Sequence, residues 1–405
     1  MDEDVLAEAR QMGINPNQIS MRNGKPWYES KEFGQMNEVR IPSADSITLS
    51  RMMANGETWG LGFDKEIDER PKIEGVLDVD RIKDDMKGYC DQRIIQYLRS
   101  GMPMNLSIPF TTEEVAENYK IDENAMDKIL EKNDEELTKR VVEEWSKETL
   151  PRFREHPVGA IPKNRAERKK KNNNEVHKSR TISDFSKQLI DGLAINKTMG
   201  EFASIELPQG DRVHRLIEEA GNWCDRNGLD RTKLRGLKFD VQSAYRIIGI
   251  DPADWWAFCY KLVGKRYFHK RMPFGITSAV YAFLRIPLLI LTFLLTKTNI
   301  QSLGAFLAMY FDDLVVIAHE SKIEEAGRIV RELFKRWNIP IQAKKWAEEN
   351  PNGLKGAEEI TILGLEYDLP TFSVGIPAHR CAEILEEIGF ARESSKKWKL
   401  KEAES

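Results

Sequence analysis

Cysteine is scarce. Cys90, Cys224, Cys259 and Cys381 are the only four in 405 residues, and none stands in a Cys-x-x-Cys pair. That spacing excludes a zinc knuckle, gives no disulfide framework and fits a reducing intracellular setting, cytoplasm or nucleus. An excess of one charge is also lacking: 61 basic and 65 acidic residues leave a formal net charge of −4, which excludes a uniformly basic nucleic-acid binder. No apolar run reaches the roughly 20 residues needed to span a bilayer. The greasiest stretch, 286–295, is closed by Arg285 and Lys297 and reads as a buried helix. Residues 1–10 are acidic and polar, unlike a signal peptide, so no membrane partner is expected. Internal repeats and low-complexity tracts are missing too.

What is present is local asymmetry. The chain is 41% hydrophobic, enough to bury a sizeable core in two or three domains. Residues 111–150 carry 13 acids and 6 bases, whereas 163–180 carry eight Lys or Arg against Glu167 and Glu175. Opposite patches of this kind steer a polyanion toward one face and away from the other. The basic run, flanked by apolar 158–161 and by Thr181-Ile182, predicts a β-hairpin with Asn172-Asn173-Asn174 at its tip. A solvated loop or a nuclear import signal would have the same composition.

Chemistry enters at residues 309–313, Met-Tyr-Phe-Asp-Asp, which lie between the apolar runs 303–309 and 314–318. A strand, a tight turn and a returning strand would present Asp312 and Asp313 as hard oxygen ligands. Upstream, Leu237-Lys238-Phe239-Asp240 predicts a short strand ending in a third carboxylate. Mg²⁺ favours such oxygens and keeps waters and substrate phosphates in its shell, so two or three carboxylates suffice for a pair of ions. Two ions about 3.5–4 Å apart can activate a hydroxyl and stabilise a leaving group in an in-line displacement. Taken singly, Asp240 reads as a strand-end turn residue; for Asp312-Asp313 an acidic hairpin turn is the bland alternative.

The ordered blocks resemble the reverse transcriptases of retroelements, in which Asp240-Val241-Gln242-Ser243-Ala244-Tyr245 corresponds to one palm strand and Tyr310-Phe311-Asp312-Asp313 to the palm hairpin. Arg180-Thr181-Ile182-Ser183-Asp184 resembles the fingers motif, and Met272-Pro273-Phe274-Gly275 the Leu-Pro-Phe-Gly block. Ile339-Pro340-Ile341-Gln342-Ala343-Lys344-Lys345 resembles the lysine-bearing segment, and Ile362-Leu363-Gly364-Leu365 the primer grip. Segments 97–103, 156–163 and 243–247 look most like DIRS-type elements, relatives of the LTR retrotransposons. The resemblance covers roughly residues 85–385.

The resemblance implies Asp240, Asp312 and Asp313 as catalytic residues, which with Val241 would hold two Mg²⁺, or Mn²⁺ in their place. It implies a nucleotide site of Lys163, Arg180, Asp184, Tyr245, Phe274, Gly275 and Lys345, with Tyr245 as the steric gate against a ribose 2′ hydroxyl. Lys344 or Lys345 would protonate pyrophosphate, the latter being preferred, and Leu363 and Gly364 would grip the primer. The implied fold is α+β, a right-hand fingers and palm with an antiparallel palm sheet backed by helices, plus a mainly helical N-terminal region. Expected divisions are 1–80, an accessory region of unknown role; 81–150, a helical extension; 151–236, fingers; 237–375, palm with the grip; and 376–405, the start of a thumb and a charged tail.

Local patterns add one helix over 79–99, two charged helices within 112–147, and others near 213–227 and 323–337. The implied activity is RNA-directed DNA synthesis for a retrotransposon, with a primed RNA or DNA template and dNTPs as partners. RNase H and recombinase functions would be encoded elsewhere, since the chain has no room for a full thumb and RNase H. An RNA-dependent RNA polymerase, or a catalytically silent nucleic-acid-binding remnant, stays open as an alternative.

Overall fold

The computed structural model describes residues 3–30, 40–110, 113–162, 179–199 and 205–393. The centre is an antiparallel sheet in which strand Asp313–His319 lies between Phe306–Tyr310 and Leu234–Asp240. Its middle strand is apolar on both faces, as a sheet covered on both sides requires. Because successive side chains alternate, Leu314, Val316 and Ala318 enter the main core, while Val315 and Ile317 enter a second one behind the sheet. Helices Thr277–Lys297 and Glu320–Arg336 supply the main core. Helix Gly210–Arg226 and the hairpin strands Glu359–Ile362 and Leu365–Asp368 cover the other face.

The fingers hairpin pairs Val158–Pro162 with Ser179–Ser183. Lys163 and the basic segment 163–178 lie outside the described residues, as does the expected Asn172-Asn173-Asn174 tip. Beside the hairpin, a sheet of Cys259–Leu262, Lys265–His269 and Val142–Glu144 packs against helix Glu123–Thr138.

Three local expectations need correction. Residues 79–99 form two helices, Val79–Asp85 and Gln92–Ser100, because the chain turns at Gly88 and directs Asp91 inward to Arg285. Within 112–147 only Glu123–Thr138 is a long helix, started by Asp122, whose side chain accepts from the Ala125 amide at 2.8 Å. Its expected partner becomes strand Val142–Glu144, since Val141 and Val142 are drawn into a small core with Tyr260 and Tyr267. The apolar helix is also longer than its greasiest stretch, spanning the 21 residues Thr277–Lys297. By length and hydropathy it could cross a bilayer, yet 83% of its most apolar window is buried within the protein.

Residues 3–30 and 40–80 join the same core. Ala9, Met12, Tyr28, Leu49 and Ile67 pack into it, and strands Ile19–Arg22 and Lys25–Glu29 form a sheet with Ser107–Pro109. Asp254 ties this sheet to the turn Pro252–Ala257: its buried carboxylate accepts from Tyr28 Oη at 2.6 Å, Ser30 Oγ at 3.0 Å and the Met104 amide at 2.7 Å. Burial, reinforced by Asp251, pushes its pKa up to about 7, against the pull of the Tyr28 bond. The folded chain therefore holds this proton more tightly than the unfolded one. Its stabilising contribution is complete below the ordinary carboxylate range and is lost as pH rises through about 7. Unfolding free energy measured in urea should fall between about pH 4 and about pH 7. Asp254→Asn should flatten that slope.

Candidate active site

Cross-strand register brings the three aspartates to one end of the central sheet. Asp313 lies directly opposite Asp240 and, across the hairpin, opposite Tyr310. The Val241 amide donates to the Asp312 carbonyl at 2.9 Å, stitching the neighbouring strand to the turn. Between them Phe311 adopts a left-handed backbone, φ 51°, unusual for a non-glycine residue and costing on the order of 1–3 kcal/mol. Its ring stands edge-on to Tyr310 with centroids 4.9 Å apart.

Two lysines face these acids. Lys345, from helix Ala343–Glu349, contacts Asp240 Oδ2 and lies 3.3 Å from Asp313 Oδ1 and 3.8 Å from Glu349 Oε1. Lys238, two residues before Asp240 and hence on the same strand face, reaches Glu349 at 2.9 Å and Asp313 Oδ2 at 3.8 Å. Lys344 points away to solvent, 4.0 Å from Glu348. Lys238 and Glu349 were not singled out from sequence. The signals were a lysine inside an apolar strand at a two-residue interval from Asp240, and a glutamate four residues after Lys345.

The electrostatics follow from this crowding. Burial raises the Asp240 pKa, and repulsion from Asp312 and Asp313 adds to it, while Lys345 opposes. Burial likewise raises Asp312, with Asp313 adding to the effect. Burial works against the Lys345 charge, but Asp240, Asp313 and Glu349 outweigh it and raise its pKa above the ordinary lysine value. Among the described residues no three Asp, Glu, His or Cys side chains are grouped closely enough to hold an ion as they stand. Instead the Lys345 ammonium rests between Asp240 and Asp313, a positive charge where acids of this type would receive a cation. Hard carboxylate oxygens and a resident counter-charge fit divalent metal. Val241 has an apolar side chain and a bonded amide, leaving only its carbonyl as a ligand.

Tyr245 stands in the short turn Ala244–Ile247, its ring edge-on to Phe274 at 5.0 Å and to Phe283 at 5.6 Å. Burial raises its pKa, and the Asp312 charge raises it further. Phe274 is 49% exposed beside it. Gly275 has φ +95°, and a Cβ there would meet the Ser183 carbonyl at 3.3 Å, so the position favours glycine twice over.

Other expected residues divide. Arg180 occupies the fingers strand opposite Ile161. Asp184 sits at the hairpin foot with both oxygens engaged: Oδ2 accepts from Tyr119 Oη at 2.5 Å, and Oδ1 from the Ser186 and Lys187 amides at 2.9 and 3.1 Å. Leu363 and Gly364 form the two-residue turn between Ile362 and Leu365, with φ 54° and 77°. Both central residues being left-handed is the geometry that follows the twist of a tight hairpin. Leu363 lines a small recess with Tyr310, Asp313 and Lys238, so the turn abuts the acidic cluster.

Comparison with known families decides the assignment. Residues 168–367, which contain the three aspartates, Tyr245, Phe274, Gly275, Lys345, Leu363 and Gly364, match the model described as "Reverse transcriptase (RNA-dependent DNA polymerase)". They are a reverse transcriptase domain. Solved structures similar to the chain include the foamy viral protease-reverse transcriptase dRH in complex with double-stranded DNA, at 17% identity and TM-score 0.48, covering 74% of this chain and 42% of that one. The native Prototype Foamy Virus protease-reverse transcriptase is similar at 15% identity and TM-score 0.40, covering 71% and 33%. The chain thus spans less than half the length of these proteins. No curated protein matched it.

Proposed function

We propose that this chain is the RNA-directed DNA polymerase of a retrotransposon, adding deoxynucleotides to a primer 3′ end on an RNA or DNA template. The observation that carries the reading is the register placing Asp313 opposite Asp240, with Asp312 in the adjoining turn, inside the reverse transcriptase domain. Asp240, Asp312 and Asp313, with the Val241 carbonyl, would hold the divalent ions, Mg²⁺ or Mn²⁺. When bound, such ions lower the pKa of the attacking hydroxyl and neutralise the leaving group. Lys345 then has two roles. At rest it balances Asp240 and Asp313; displaced toward Glu349, it remains a charged proton donor near the leaving pyrophosphate. Tyr245 and Phe274 would lie under the sugar, and the Leu363-Gly364 turn would hold the primer end against the acids. Arg180 and Lys163 would neutralise the triphosphate.

The test is extension of a labelled primer on an RNA template with the four deoxynucleotides, with and without Mg²⁺. Metal-dependent extension is expected, and replacing the deoxynucleotides by ribonucleotides should all but stop it. Salt-dependent template binding without metal-dependent incorporation would assign the chain a binding role and overturn the polymerase reading.

A further inference from the structure

The turn that carries Tyr245 is held by a residue outside the reverse transcriptase domain. Glu136, in helix Glu123–Thr138, places Oε2 2.7 Å from Arg246 Nη2, and its side chain is only 15% exposed. Arg246 immediately follows Tyr245. Its Nη1 donates to the Arg271 carbonyl at 2.9 Å and lies 3.1 Å from His269 Nδ1. Arg271 reciprocates, its own Nη1 donating to the Ile247 carbonyl at 2.7 Å and the Arg246 carbonyl at 3.3 Å. Each guanidinium thus fastens the backbone of the other's segment.

Two buried cations in one place need compensation. Burial, with Arg246 adding to the effect, outweighs the attraction of Glu74 and lowers the Arg271 pKa to about 10. His269 adds no further positive charge, because burial, reinforced by Arg246, keeps it neutral with its pKa well below the ordinary value. Among the described residues Glu136 is the one carboxylate ion-paired with Arg246. The surroundings are not tightly filled. A cavity of about 40 Å³ touches Glu136, Asn133, Ser183, Arg246, His269 and Phe274, room for one or two waters. Tight packing therefore does not fix the turn on this side, and Ser243 enters it in a left-handed conformation, φ 54°.

We infer that Glu136 is a positioning residue for sugar selection: through Arg246 it sets where the Tyr245 ring stands beneath the incoming nucleotide. The inference rests on the polymerase reading above and on Tyr245 as the gate. A gate works by steric contact with the 2′ hydroxyl, so a small retreat of the ring admits ribonucleotides while leaving deoxynucleotides, which make no such contact, nearly as before. The helical extension thus takes part in substrate choice without touching substrate.

The experiment is single-nucleotide incorporation by the full chain, with kcat and KM measured separately for a deoxynucleotide and the matching ribonucleotide. Glu136→Gln should cut the discrimination ratio roughly tenfold, through a lower KM or higher kcat for the ribonucleotide. Glu136→Asp, which keeps the charge, should restore most of the ratio. Arg246→Lys keeps the charge but loses the two-pronged donation; it should loosen selection similarly, and it carries the test if Glu136→Gln does not fold. Tyr245→Val serves as the reference. If it relaxes selection while the Glu136 and Arg246 variants do not, the clamp is wrong and the gate stands. If Tyr245→Val itself changes nothing, the gate reading fails and takes the clamp with it. An equal fall for both nucleotides in Glu136→Gln would mark a merely structural role and overturn the inference.

Discussion

Asp240→Asn should lower primer extension by at least roughly 10³-fold, the loss expected when several kcal/mol of metal-borne charge stabilisation is removed. Its melting temperature should not fall. The carboxylate is 4% exposed and crowded by Asp312 and Asp313, so its negative charge is held at a cost that the amide of similar shape relieves. Lys345 would not be stranded, since Asp313 at 3.3 Å and Glu349 at 3.8 Å remain to balance it. Activity and stability are thereby separated. Extension assays paired with thermal unfolding read both, and Lys344→Met, altering an exposed neighbour 4.0 Å from Glu348, is the control expected to change neither. Synthesis that survives Asp240→Asn would remove this residue from the chemistry.

The largest effect on stability is expected at Asp91 and Arg285. Neither side chain has any exposed surface; Arg285 Nε and Nη2 donate to the two Asp91 oxygens at 2.6 and 2.5 Å, and the Leu61 amide donates to Asp91 Oδ1 at 3.0 Å. Tyr97 and Tyr281 flank the guanidinium with ring centroids at 5.4 and 5.6 Å. Asp91→Ala leaves a cation in a dry interior and should cost roughly 3–5 kcal/mol, a large share of the roughly 5–15 kcal/mol that holds a typical protein together. Replacing both partners, Asp91→Leu with Arg285→Met, should recover most of that loss, because well-packed apolar residues avoid the desolvation of two charges. Guanidinium chloride unfolding of the single and double variants measures the difference. Equal losses in both would mean that packing around the pair, and not the uncompensated charge, carries the effect.

Much of the palm was legible because its signals are local. An apolar run on each side of Asp312-Asp313 demanded a hairpin. The register that sets Asp313 against Asp240 was not legible, since it joins strands about seventy residues apart. The helix break at residues 86–91 was hidden for the same reason. Its cause is Arg285, almost two hundred positions downstream, and no pattern in 79–99 reveals that partner. Strand Val142–Glu144 was misread as helix because its charges look solvated, whereas its place is set by pairing with Lys265–His269. The role of residues 3–30 and 40–80 was hidden because they enter the core piecemeal, through Met12, Tyr28, Leu49 and Ile67. Lys345 could be narrowed to a pair from sequence alone; choosing between Lys344 and Lys345 needed the helix phase, which turns one toward the acids and the other to water.

The long apolar helix has one more consequence. Much of what shields Thr277–Lys297 comes from upstream of the matched segment: Leu49, Ile94, Ile95, Leu98, Met102 and Met104 share its core, and Asp91 answers the single charge in its middle. A gene trimmed to the boundary of that match would yield a polypeptide whose greasiest cylinder is stripped of this sheath. It would be prone to clump, or to be mistaken by the cell's insertion machinery for an anchor. For this chain the smallest unit worth expressing begins far ahead of the matched segment.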